Sequence, residues 1–252
     1  MRILCLNANT TEFVTETVAG EMRATLGEAA EIVPETAGFG PAVIRTRLDH
    51  VVAGHAVVER AAAHAGAVDG IMLAVSFDTA LDALRAALPI PVVGMTEASL
   101  AMARMLGGRI GYLSMGADVT PLYRDTLGAY DLDRDMAGWR ALEAPEAYRP
   151  GDKSALDAAL GEAAAGLAAE GADVVVLVGA VLAGAARRVQ PGAPVPLVDG
   201  GRAGALMIRA MVALGAPPRR VGSFAGAAGG GLSGVSPALG RLGLGLAGRD
   251  TR

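Results

Sequence analysis

Val174-Val175-Val176-Leu177-Val178 is an unbroken apolar run, closed by Gly179 and followed by a helical pattern over residues 180–189. A strand that shows one face to water alternates apolar and polar side chains. A strand apolar at every position is buried on both faces, as in a parallel sheet covered by helices. The same rhythm extends outward from this run in both directions. Apolar runs predict strands at 2–6, 30–34, 70–75, 91–94, 109–114, 138–143, 173–178, 196–198 and 220–223. Ala-rich stretches between them predict helices at 11–26, 45–66, 78–87, 97–106, 118–128, 152–170, 180–189 and 200–214. This alternation is the mark of an α/β fold, with mostly parallel sheets flanked by helices.

The chain reads as two similar halves. Residues 1–94 carry strand, polar corner, helix, strand, helix, strand, helix and strand, and residues 109–198 repeat a comparable order. Gly94-Met95-Thr96-Glu97 and Asp199-Gly200-Gly201 close corresponding strands, each followed by a helix. Two pseudo-symmetric lobes with a ligand pocket between them are therefore expected: residues 1–95 plus about 208–252 as lobe 1, and 96–207 as lobe 2. The helix from Gly200 is expected to cross back to the first lobe, with part of the Gly-rich tail 222–252 packing there.

Bulk composition narrows the function. With 252 residues, 52% hydrophobic and 19% charged, the chain is long and apolar enough for a substantial core. A net charge of −4 argues against nucleic acid or an anionic membrane as the main partner. Apolar runs break after five to eight residues, short of a membrane span. No basic, then apolar leader pattern opens the chain, so a cytoplasmic location is expected. Cys5, the one cysteine, permits no internal disulfide and no cysteine zinc cage, and is expected to be buried and inert in its strand. His50, His55 and His64 lack the four-residue spacing of a helical metal pair. Gly226 to Gly231 is not a phosphate loop, because no strand–helix junction or Lys follows it. No cofactor is expected. Pairing through apolar helices makes a homo-oligomer the expected state.

In open parallel sheets ligands bind beyond the carboxyl ends of the strands. Four such ends stand out: Asn7-Ala8-Asn9-Thr10-Thr11, Ser76-Phe77-Asp78-Thr79, Ser114-Met115-Gly116 and Gly179-Ala180-Val181-Leu182. Each places amides, hydroxyls or glycine at a strand–helix corner, where helix N-termini favour anions and carbonyl oxygens. The second and fourth occupy comparable places in the two halves. The substrate-binding candidates are Asn7, Asn9, Thr10, Thr11, Phe77, Ser114, Met115, Gly116, Gly179, Ala180, Val181 and Leu182; the catalytic candidates are Ser76, Asp78 and Thr79. Glu97 and Asp199 read as first-turn and cap residues, the methionines as core filler, and Arg187 and Arg188 as solvent-facing.

These motifs carry a resemblance. The block from Asn7 to Thr11 resembles the Asn-Pro-Asn-Thr/Ser opening of hydantoin and allantoin racemases, in the aspartate/glutamate racemase superfamily. Gly40-Pro41, Pro91-Val92-Val93-Gly94-Met95-Thr96-Glu97-Ala98, Gly107-Gly108-Arg109 and Pro194-Val195-Pro196-Leu197-Val198-Asp199-Gly200 resemble further family segments, in family order, across nearly the whole chain. The resemblance implies a two-lobed fold and an isomerase that moves a proton at carbon between two facing cysteines. At the first cysteine position this chain has Ser76, next to the matching Phe77, with Thr79 as a rival because the register is one residue tight. At the second it has Ala180.

A thiol near its ordinary pKa can be ionised by a helix N-terminus and nearby donors; a serine hydroxyl is a far weaker acid, and alanine transfers no proton. The two-thiol mechanism is therefore excluded for this sequence. The expectation is an isomerase-family protein that acts on or binds a small carboxylate, amide or cyclic ureide without that mechanism. The alternatives are a cofactor-independent, decarboxylase-like lyase, a non-catalytic binder, and a hydantoin-type racemase whose cysteines were removed.

Overall fold

Eight strands pair into two parallel sheets of four in the computed structural model, which describes residues 1–130, 135–216 and 231–243. The expected strand 220–223 and most of the tail lie outside the described residues. The first sheet has the order β2-β1-β3-β4, built from β1 (Arg2–Asn7), β2 (Glu31–Thr36), β3 (Gly70–Leu73) and β4 (Val92–Gly94). The second has the order β6-β5-β7-β8, built from β5 (Ile110–Met115), β6 (Met136–Leu142), β7 (Val174–Val178) and β8 (Leu197–Asp199). Strand for strand, the two orders are the same. The connecting helices are α1 (Glu12–Leu26), α2 (Arg47–His64), α3 (Leu81–Ala87), α4 (Met95–Leu106), α5 (Thr120–Gly128), α6 (Ser154–Ala169), α7 (Ala185–Val189), α8 (Gly200–Leu214) and α9 (Pro237–Gly243).

The apolar run of β7 is explained by the layers on its two faces. Val174, Val176 and Val178 join the core shared with the first lobe, while Val175 and Leu177 join a second core under α6 and α7. Successive side chains point to opposite faces, so a strand between two cores cannot alternate with polar residues.

Local chemistry sets the helix boundaries. Thr46 and Asp49 form a reciprocal cap at the start of α2, with the Asp49 amide donating to Thr46 Oγ1 at 3.1 Å and the Thr46 amide donating to Asp49 Oδ2 at 2.9 Å. The Arg45 amide, donating to Asp49 Oδ2 at 3.0 Å, together with Thr46 holds the Asp49 carboxyl below its usual range. Helix α3 starts at Leu81 rather than 78, because Asp78 and Ala80 turn through positive φ of 46° and 64°. The stretch 180–189 is not one helix: a short 3₁₀ turn, Ala180–Leu182, ends before Gly184 at φ 80°, and α7 follows.

Helix α8 leaves the second sheet under an Asp199 cap, whose Oδ1 accepts the Arg202 amide at 3.0 Å. It then packs on α1, α4 and β3. Gly204 permits this approach, since a Cβ there would overlap the Met72 side chain. From the tail, α9 lies on α2, with Leu239 and Leu242 buried and the Ser236 amide donating to Glu59 at 3.1 Å. Arg187 and Arg188 do not simply face solvent. Arg187 pairs with buried Glu21 on α1 at 2.6 Å, and Arg188 with Asp157 on α6 at 2.7 Å, because α7 packs on α6 and the 3₁₀ turn preceding it packs on α1. No helix among the described residues is long and apolar enough to cross a membrane.

Candidate functional site

The carboxyl ends of β1, β3 and β7 converge on an inner cavity of about 50 Å³ between the lobes. Asn9, Ser76 and Phe77 line it from the first lobe, and Gly179, Ala180 and Val181 from the second. These six were expected from the sequence. The cavity is completed by Val14, Val43, Ile44, Val75, Tyr123 and Tyr148, which were not.

Asn7 supports the site from behind. Its Nδ2 donates to Asn9 Oδ1 at 3.0 Å and to Thr15 Oγ1 at 3.1 Å, and its Oδ1 accepts the Asn9 amide at 3.1 Å. Asn9 Oδ1 also accepts the Thr11 amide at 2.9 Å. With that oxygen engaged by two donors, the Asn9 NH₂ is the end left to donate to a ligand. Thr10 and Thr11 serve the corner itself: the Thr10 amide donates to the Pro41 carbonyl at 3.0 Å and Thr11 Oγ1 to the Ala42 carbonyl at 2.7 Å. They tie the loop carrying Val43 and Ile44 over the cavity.

Ser76 is buried, its hydroxyl donating to Met95 Sδ at 3.8 Å, and the Tyr123 phenol lines the same cavity. Burial pushes the Tyr123 phenol above its ordinary range, so it keeps its proton. Among the lining residues none is charged, so no general base faces Ser76 inside the cavity.

The remaining candidates are not brought to the cavity lining. Asp78 turns away to the start of α4, where Oδ1 accepts the Thr96 amide at 3.0 Å and Oδ2 the Glu97 amide at 2.8 Å. Thr79 is fully buried against Gly54 of α2, its hydroxyl without a partner. Ser114 lies inside β5 and accepts the Trp139 indole N–H at 3.0 Å. Met115 is buried in the second core, and Gly116 turns at φ 79° with its amide donating to the Leu142 carbonyl at 2.9 Å. Leu182 points into that same core. Ser114 and Met115 sit within β5, where the pleat sends them to opposite faces, while Asp78, Thr79, Gly116 and Leu182 lie in turns beyond their strand ends.

Cys5 is sealed in β1 at 0% exposure, and burial pushes its thiol up to about 12. His64 pairs with Glu35 at 3.0 Å and His55 with Glu59 at 3.5 Å, while His50 sits edge-on to Phe77. Among the described residues, no group of three His, Cys, Asp or Glu side chains is placed to hold a metal. A larger groove of about 350 Å³ runs beside β4 and α8 past the Arg85–Glu97 ion pair. It lies along the sheet edge, away from the convergent strand ends.

Residues 3–208 match the family described as Asp/Glu/Hydantoin racemase. The chain belongs to this family. A hydantoin racemase from Paenarthrobacter aurescens is 26% identical over 233 residues, covering 89% of this chain and 96% of that protein. An allantoin racemase from Klebsiella pneumoniae superposes with a TM-score of 0.87 at 28% identity, covering 95% of this chain and 98% of the other. An allantoin racemase from Pseudomonas fluorescens does so with a TM-score of 0.84 at 29% identity, covering 93% and 100%. The family and the two-lobed racemase fold expected from the strand-end motifs are thus both present. The cavity of this chain is lined by hydroxyls, one side-chain amide and apolar walls.

Proposed function

We propose that this racemase-family protein holds a small amide, cyclic ureide or carboxylate in the inner cavity and does not run a two-thiol proton transfer. The observation that carries this reading is the pairing of Ser76 and Ala180 on walls of one cavity from different lobes, while the one thiol is sealed inside β1. The Asn9 NH₂ and the Ser76 and Tyr123 hydroxyls lining the cavity supply donors for a ligand carbonyl, and backbone N–H groups at the strand ends can add others. The valines, Ile44 and Phe77 exclude water around them. A second reading, a one-sided lyase, is favoured by the same two hydroxyls, since charge on a developing enolate needs donors but only one acid. No cofactor, a cytoplasmic location and self-association complete the reading; sedimentation of the purified chain tests the last.

The deciding experiment is α-proton exchange in deuterated water, followed by NMR over 5-substituted hydantoins, allantoin, amino acids and arylmalonates. A parallel sample carries Ser76→Cys and Ala180→Cys. Binding without exchange in the native chain, with exchange gained by the double variant, is the expected result. Exchange or CO₂ release by the native chain would replace this reading with a thiol-free enzyme.

A further inference from the structure

Phe77 lines two spaces. On one side is the inner cavity of about 50 Å³; on the other is an outer cleft of about 560 Å³ between α2, α3 and α5. The Phe77 ring stacks on Tyr123 at 4.5 Å between centroids and 22° between planes, and meets the His50 imidazole edge-on at 6.1 Å on the outer side.

The volumes make this wall consequential. The inner cavity has room for roughly four water molecules. Pockets that enclose a drug-sized ligand run to roughly 300–1,000 Å³. A five-membered ureide ring with any substituent therefore outgrows the inner cavity, and the outer cleft is the space that shares a wall with it. The charges around that cleft are largely committed already. Arg47 pairs with Asp125 and Arg85 with Glu97, while Asp78 is held by two amides and a phenol. Burial lowers the His50 pKa, which favours the neutral imidazole. Leu81 and Leu122 supply apolar surface.

We propose that the Phe77–Tyr123 stack is the specificity wall of the ligand site, and that Phe77 swings off Tyr123 to admit an aryl or branched-alkyl substituent into the outer cleft. The ring of the ligand stays with Asn9 and Ser76 and the substituent lies beyond Phe77. This rests on the inner cavity being the ligand site, and it adds what sets the permitted size. The pair has a built-in reporter. Trp139, the single tryptophan of the chain, lies 6.2 Å from Tyr123, so its emission responds when the stack moves.

The test compares the native chain with Phe77→Leu and Phe77→Ala, using 5-methylhydantoin and 5-benzylhydantoin as the small and bulky probes and toluene as a neutral one. Circular dichroism checks folding. The expected result is a shift of at least about tenfold in relative affinity toward 5-benzylhydantoin in Phe77→Ala, a smaller shift in Phe77→Leu, and toluene binding that moves Trp139 emission in the variants alone. If Phe77→Ala does not fold, Phe77→Leu decides. An unchanged affinity ratio in a folded variant overturns the wall. If no hydantoin binds any of the proteins, the ligand reading falls and toluene decides the wall: uptake by a folded variant supports it, and absence of uptake overturns it.

Discussion

The Tyr130 phenol donates to Asp78 Oδ2 at 2.7 Å, joining the turn after α5 in one lobe to the β3–α3 turn in the other. Asp78 also caps α4, so one buried carboxylate holds a helix start and a lobe contact together. Burial raises its pKa to about 6, outweighing the phenol and the two amides, which lower it. Between the ordinary value of 3.8 and about 6, the folded chain therefore binds a proton that the unfolded chain has released. The contribution of this group is fully present below the lower value and is lost as pH rises through the upper one. Urea titrations of the native chain and Asp78→Asn from pH 7 to pH 4 should show the difference moving in favour of the native chain by on the order of 3 kcal/mol. A difference that stays flat with pH would refute this assignment, whatever the other carboxylates do to both proteins.

Glu21 is 7% exposed, and the Arg187 guanidinium answers its charge from the other lobe. Removing the arginine leaves a mostly buried carboxylate held by the Thr25 hydroxyl at 3.0 Å. Arg187→Ala is expected to cost about 1–2 kcal/mol, below the figure for a fully buried pair because the arginine is partly in water. Glu21→Gln in the Arg187→Ala background should recover part of that loss in a thermal melt. No recovery would mean the arginine acts through packing alone.

Two glycines should respond to alanine with opposite signs. A Cβ on Gly94 would overlap the Asp78 carboxylate, so Gly94→Ala is expected to cost about 1–3 kcal/mol and to disturb the α4 cap. Gly20 lies exposed within α1 with nothing within 4 Å of where its Cβ would be. Gly20→Ala should therefore stabilise by about 0.5–1 kcal/mol. Chemical denaturation of the two variants reads both; matching signs would contradict the packing described here.

Cys5 should stay silent toward an aromatic disulfide reagent at pH 8 in the folded chain and release one thiol equivalent on denaturation. Its full burial and a pKa of about 12 both withhold the thiolate. Fast labelling of the native protein would reopen Cys5 as a reactive group.

The strands were legible because burial between two cores writes itself as apolar runs, and Val174 to Val178 is the plainest case. The corners were legible because strand ends break into amides, hydroxyls and glycine. Which side chain of a corner enters the cavity was not, since Ser76 and Asp78 lie two positions apart yet the positive φ at Asp78 sends its carboxylate to another helix. Tyr123 and Tyr148 carry no strand-end motif; one sits on α5 and the other in a 3₁₀ turn, and only lobe closure places them beside Ser76. A usable signal was their rarity, because aromatics make up 4% of the chain and Tyr112, Tyr123 and Trp139 cluster with Phe77.

The return of α8 fixes an order of assembly. The strands of the first sheet are all synthesised by Gly94, but the helix that packs over β3 and β4 begins at Gly200. The second sheet has its last strand at Asp199, one residue earlier. On the ribosome, the half of the molecule made first is thus the half finished last, and its bare apolar face must wait through the synthesis of its twin.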